Sequence, residues 1–143
     1  IVKQAREMGI NAPVVGGDGW DSPKLVEIGG AAALNNTYFT NHYSVEDNSP
    51  ASKAFADAYK KEYGQIPDAL AVLGYDAANL LIDAIKRANS VDKSKIQAAL
   101  AATKAFPAIT GATTLNATHD AVKSAVIIEM KDGKQIYKAT VKP

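Results

Sequence analysis

The sequence predicts an α/β fold that ends in a β-hairpin. Helix-period segments alternate with short β-branched runs through the first 44 residues. From residue 110 onward the pattern changes to strand-like runs, the last two separated by Asp132-Gly133. A helix, a tight turn, a strand and a loop in succession make one unit of an α/β sheet. Asp-Gly between two strand-like runs is a strong signal for a type I′ hairpin.

Each element has its own local signal. Residues 1–9 place Ile1, Val2, Ala5 and Met8 on one helical face, and Gly9 suits a C-terminal stop. APVVGG (12–17) reads as a short buried strand, a β-branched run after a proline that is ended by glycines. Ser22 caps a second helix that starts at Pro23 and runs through Ile28, with Gly29-Gly30 as its end. NNTYFTNHYS (35–44), rich in threonine and aromatics, is the next strand. After the polar link VEDNSP, Ser49 caps a helix with Pro50 in its first position and Phe55, Ala58 and Tyr59 as its inner stripe; Gly64 closes it. DALAVLGYDAANLLIDAIKR (68–87) is apolar almost all round, which predicts a helix buried on more than one side. Gly74 costs about 1 kcal/mol against alanine inside such a helix. A break at Gly74-Tyr75, with Asp76 as a fresh cap, therefore competes with one continuous helix. Asp92 caps a further helix with Ile96, Ala99 and Leu100 inward. TGATTLN (110–116), SAVIIEM (124–130) and KQIYKATV (134–141) are the closing strands.

Composition removes several function classes. The 143 residues are 47% apolar and 22% charged with a net charge of +1, and acids and bases are interspersed. There is no basic patch for nucleic acid and no polybasic membrane anchor. Asp76 and Asp83 break the apolar stretches short of the ~18 residues a spanning helix needs. Without cysteine there is no disulfide framework, thiolate metal site or cysteine nucleophile. The opening IVKQAREMGI reads as the middle of a helix with no cap before it, so a processed or trimmed product lacking its N-terminal portion is expected.

Few residues offer bond chemistry. The two histidines, His42 and His119, lack metal-ligand spacing, and HExxH and GxSxG are absent. His119-Asp120 reads as a loop before a strand, since a catalytic base needs a full constellation around it. The loop VVGGDGWDS (14–22) carries Asp18 where a phosphate would sit and is followed by no GK[ST], which disfavours nucleotide. Asp18 and Asp21 fall well short of the six to eight oxygens that calcium takes. What remains is a carboxylate and the sole tryptophan, Trp20, on a glycine-rich loop at the carboxyl end of a strand, the edge at which open α/β sheets bind ligands. Glycines such as Gly17 let the backbone approach a guest, Asp18 can accept from an ammonium, and the indole can wall off an apolar part. The same residues also read as a turn cap and a packed core tryptophan.

Five stretches, in their order along the chain, carry a resemblance. They are REMGI, VVGGDGWDSPKL, NTYFTNHYS, SPASKAFADAYKKEYGQIPDALAVLGYDAANLLIDAIKRA and GATTLNATHDAVKSAVIIEMKDGKQI. The chain resembles the C-terminal part of the branched-chain amino-acid type of periplasmic binding protein, the substrate-binding component of an ABC importer. The resemblance rests most on Phe55, Tyr59, Tyr63, Gly64 and Pro67, on GYDAA (74–78) and on the terminal strand–DG–strand.

The resemblance implies a type I fold: a three-layer sandwich with a mainly parallel sheet, forming part of a two-lobe protein. Residues 1–43 and 112–143 would belong to the C-terminal lobe and 44–111 to an excursion into the N-terminal lobe. It implies that Asp18 meets the α-ammonium of an amino acid, beside Gly17, with Trp20 at the cleft mouth. Leu70 stands where the family often has an aromatic, giving an aliphatic wall. Tyr75 would hold the long helix against its sheet. The expected ligand is leucine, isoleucine or valine, with no cofactor and no bond chemistry. The expected partner is an ABC permease. The expected location is the periplasm, or the outer face of the membrane as a lipoprotein. A sensory domain of the same fold, a Rossmann-like small-molecule enzyme and an interaction module are the alternatives. Domain-swapped association of the chain is a further expectation.

Overall fold

The computed structural model describes residues 1–143. In chain order the elements are α1 (Val2–Glu7), β1 (Val14–Gly16), a 3-10 turn (Asp18–Trp20), α2 (Pro23–Gly29), β2 (Thr37–Asn41), α3 (Pro50–Tyr63), α4 (Ala69–Ala88), α5 (Lys93–Ala101), β3 (Phe106–Ala108), β4 (Gly111–Leu115), β5 (Ala121–Val122), β6 (Ala125–Lys131) and β7 (Lys134–Val141). They divide into two compact units, Ile1–Asn48 with Ala125–Val141, and Ser49–Ser124 with Lys142–Pro143.

The first unit is built on a four-stranded sheet in the order β1-β2-β6-β7. β1 and β2 run parallel, with Val14 opposite Thr37 and Gly16 opposite Phe39. The other two pairings are antiparallel. The sheet here is thus mixed rather than mainly parallel. Parallel pairing needs a crossover helix between strands, and within this unit only α2 provides one; β6 and β7 are joined by a tight turn. Alternation along β2 sends Thr37, Phe39 and Asn41 to a buried face while Tyr38 and Thr40 face away. Phe39 is fully buried and lies opposite Ile128, and with Val2, Leu34 and Met130 it makes the core. Leu25, Val26 and Trp20 pack onto that cluster.

Side chains close the ends of this sheet. The Arg6 guanidinium donates to the carbonyls of Ile10 at 2.7 Å and Ala12 at 2.9 Å. It also donates to Asn35 at 3.1 Å and Ala33 at 3.3 Å. The loops before β1 and before β2 are thereby tied by one cation. Asp132 and Gly133 both have positive φ, 51° and 76°, which is the type I′ turn read from the sequence. The Asp132 N–H donates to the Asn35 side-chain oxygen at 2.8 Å and so anchors this turn to the loop before β2.

The second unit joins α3, α4 and α5 to a three-stranded antiparallel sheet, β3-β4-β5. The caps are those the sequence signals. Ser49 accepts from the Ser52 N–H, Asp68 from Ala71 and Asp92 from Ser94 and Lys95. The Ser94 hydroxyl, then the Lys95 N–H, hold the Asp92 carboxyl below the usual carboxylate range.

α4 runs unbroken through Gly74. Asp76 is no helix cap. Its two oxygens accept from the Ile109 and Thr110 N–H groups, each at 2.9 Å, and pin the β3–β4 turn to the helix. Tyr75 packs on Phe55 of α3 with ring centroids 4.8 Å apart, so it joins two helices rather than a helix and a sheet. Burial on α4 follows one face: Ala69, Val72, Asp76 and Ala84 are buried, whereas Leu81 and Ile82 are exposed. Within its unit the helix meets α5 and β3, which cover one side of it. Near Asp76, the Lys123 ammonium donates to the Thr110 carbonyl at 3.5 Å. Burial lowers the Lys123 pKa, and the Asp76 charge partly offsets this.

Candidate functional site

β1 ends at Gly16, and the chain turns at once into the 3-10 turn Asp18–Trp20. The Trp20 N–H donates to the Gly17 carbonyl at 3.1 Å, and the Asp21 N–H to that of Asp18 at 2.9 Å. Gly17 is extended, with φ −97°. Gly16 is where the missing side chain matters: a Cβ there would overlap the Trp20 ring. The indole therefore rests directly on the backbone of β1. It also meets Phe39, with ring centroids 6.4 Å apart. The Gln135 side-chain amide donates to Asp21 at 2.9 Å and ties the end of the turn to β7. Ser22 then caps α2.

This anchoring leaves Asp18 at the carboxyl end of a parallel strand pair with its side chain 61% exposed. Because β1 and β2 are parallel and in register, the residues just past each strand come side by side. His42, the first residue after β2, places Nε2 3.1 Å from Asp18 Oδ2. The His42 backbone N–H donates to the Asn41 side-chain oxygen at 2.8 Å, which orients the residue.

Asp18, Gly17 and Trp20 thus share one turn. Leu70 belongs to the second unit, in the first turn of α4, and is 74% exposed. His42 was not among the residues that the sequence singled out, and its relevant signal is long-range: it becomes Asp18's neighbour only through the pairing of β1 with β2. A groove of about 620 Å³ lies between α1 and α2, lined by Val2, Trp20, Leu25, Ile28 and Leu34 among others, and Asp18 is not one of its walls. No group of three or more His, Asp or Glu side chains is placed to hold a metal ion.

A family model described as periplasmic binding protein matches residues 1–135. The chain belongs to the periplasmic binding protein family. Its fold is the type I periplasmic-binding-protein fold. It is similar to a leucine binding protein LivK from Thermotoga maritima, with 39% identity and a TM-score of 0.88 over 99% of this chain and 41% of that one. It is also similar to the branched-chain amino acid transporter substrate binding protein LivJ from Streptococcus pneumoniae, solved in complex with isoleucine. That likeness has 39% identity and a TM-score of 0.83, covering 99% of this chain and 40% of that one. The Leu/Ile/Val-binding protein BraC3 of Rhizobium johnstonii is 34% identical over 122 residues, 84% of this chain and 32% of that protein. The chain spans about a third of the length of the curated relatives it matches.

Proposed function

We propose that this chain is part of the substrate-binding component of an ABC importer that captures a branched-chain amino acid. In this reading it works on the outer side of the cytoplasmic membrane, as a free periplasmic protein or a lipid-anchored one, and delivers its cargo to a membrane permease. It does no bond chemistry. The observation that carries the reading is the exposed Asp18 carboxylate, held on a braced turn at the carboxyl end of β1. It accepts from the ligand's α-ammonium. The open backbone at Gly17 allows close approach, and the half-buried Trp20 ring stiffens the turn and borders the guest.

One charge-assisted hydrogen bond contributes about 1.5–3 kcal/mol net. Micromolar affinity needs about −8 kcal/mol. Asp18 thus supplies a part of the binding, and groups outside this chain complete it. Closure follows from population shift: the ligand favours the closed state because only there is it touched from both sides.

The test is calorimetry on the full-length protein with leucine, isoleucine, valine and benzoate. The amino acids bind. Benzoate, a carboxylate without an ammonium, has nothing to offer Asp18 and binds far more weakly. Asp18→Asn weakens leucine binding by about tenfold or more, as expected when one partner of a close charge pair is removed. Unchanged affinity in that variant would exclude Asp18 from the site.

A further inference from the structure

We infer that His42 is a positioning residue for the Asp18 carboxylate, and that amino-acid capture proceeds with His42 neutral and is opposed when it carries a proton. The inference rests on Asp18 being the ammonium acceptor.

Nε2 stands 3.1 Å from Asp18 Oδ2, close enough to donate a hydrogen bond. An ionised carboxylate offers about four lone-pair sites on its two oxygens. A neutral imidazole that donates from Nε2 occupies one of them. It fixes the carboxylate's rotation and leaves its negative charge intact for an incoming ammonium. A protonated imidazole makes the same contact but cancels that charge, and it places a second cation beside the position the ammonium must take. The two forms share a geometry and differ in what they permit.

The other acids on the adjoining elements have hydrogen-bond partners of their own, and carboxylates, Asp21 and Glu46 among them, ordinarily keep a negative charge that changes little between about pH 8 and about pH 5. β1 carries no ionisable side chain along 14–16, and neither does the stretch of β6 from Ala125 to Ile128 that flanks the end of β2. On the 3-10 turn, Asp21 accepts from Gln135. In the segment after His42, Glu46 accepts from the Tyr137 N–H at 2.7 Å. On the sheet, Glu129 pairs with Lys138 at 2.9 Å. The His42 side chain is 36% exposed, so protons reach it from solvent. Histidine is also the side chain that ordinarily changes charge between about pH 5 and pH 8.

The experiment is leucine titration of the full-length protein by calorimetry from about pH 8 to about pH 5, a range that brackets imidazole titration. The unmodified protein loses about tenfold in affinity across that range, and the loss shrinks in high salt because the pair is partly exposed. Leucine binding within that range releases a proton, read from the dependence of the heat on the buffer's ionisation enthalpy. His42→Gln keeps a side-chain N–H donor without a titrating group. It binds leucine at pH 8 nearly as the unmodified protein does, with a flat pH profile. His42→Ala also has a flat profile but binds more weakly at pH 8, because the carboxylate is no longer held.

A flat profile or no proton release in the unmodified protein overturns the inference. So does a His42→Gln profile that keeps the full slope. Proton release needs no variant, so the inference stays testable if a substitution disturbs folding. Asp18→Asn separates the two readings. If it weakens leucine binding while His42→Gln keeps the slope, the role of His42 fails alone. If Asp18→Asn binds as tightly as the unmodified protein, the assignment of Asp18 itself fails.

Discussion

Phe39→Ala is expected to lower the unfolding free energy of the full-length protein by about 3–5 kcal/mol, the cost of emptying an aromatic-sized site in a packed core. Phe39 is fully buried at the centre of the first unit, where β2, β6, α1 and the segment before β2 meet through Ile128, Val2 and Leu34. A native domain has about 5–15 kcal/mol in total, so this loss is a large share of the stability. The effect reaches the Asp18–Trp20 turn as well. Trp20 is held between the Gly16 backbone and the Phe39 ring, and Asp18 belongs to the same turn. Urea unfolding followed by circular dichroism gives the first quantity and leucine calorimetry the second. On the proposed function, the variant loses leucine affinity even under conditions where it remains folded. A loss below about 1 kcal/mol would mean that the site collapses onto the cavity with little penalty.

Asp76→Ala is expected to destabilise the second unit by about 2–4 kcal/mol. Asp76 is 8% exposed, and its two side-chain oxygens take the N–H groups of Ile109 and Thr110. Removing the carboxylate strands both donors, at about 1–3 kcal/mol for each buried group left unpaired. It also removes the nearby opposite charge from the half-buried Lys123. The local readout is amide hydrogen exchange: Ile109 and Thr110 should lose protection before the rest of α4 does. Asp76→Asn keeps one acceptor oxygen and should fall between the two. Unchanged exchange at both amides would show that the β3–β4 turn is held by other means.

Legibility from sequence follows the range of the interaction that decides each element. Ser49-Pro50, Asp68, Asp92 and Asp132-Gly133 act within a few residues of themselves, and the structure has a cap or a turn at each of them. β3 and β5 were not legible. β3 contains Pro107, which cannot donate to a ladder, and it exists as a strand because β4 lies alongside it. β5 has only two residues and exists through its pairing with β4.

Asp76 shows the same limit from another side. Beside Gly74 its local pattern suits a fresh helix start, yet its partners lie more than 30 residues ahead. In the candidate site, Asp18 stood out because an acid among glycines at a strand end is anomalous by itself. His42 did not, because nothing within several residues of it marks it. Its meaning arises from a strand register.

Arg6 lies at the opposite end of that register. Its fork gathers carbonyls from the stretches entering β1 and β2, while Asp18 and His42 leave the far ends of the same two strands. Two rails bolted together at the platform arrive together at the buffers. A substitution at Arg6 would therefore disturb the Asp18–His42 contact without touching either residue. Lysine in its place would not preserve that contact, because a single ammonium cannot span the carbonyls that a planar guanidinium holds at once.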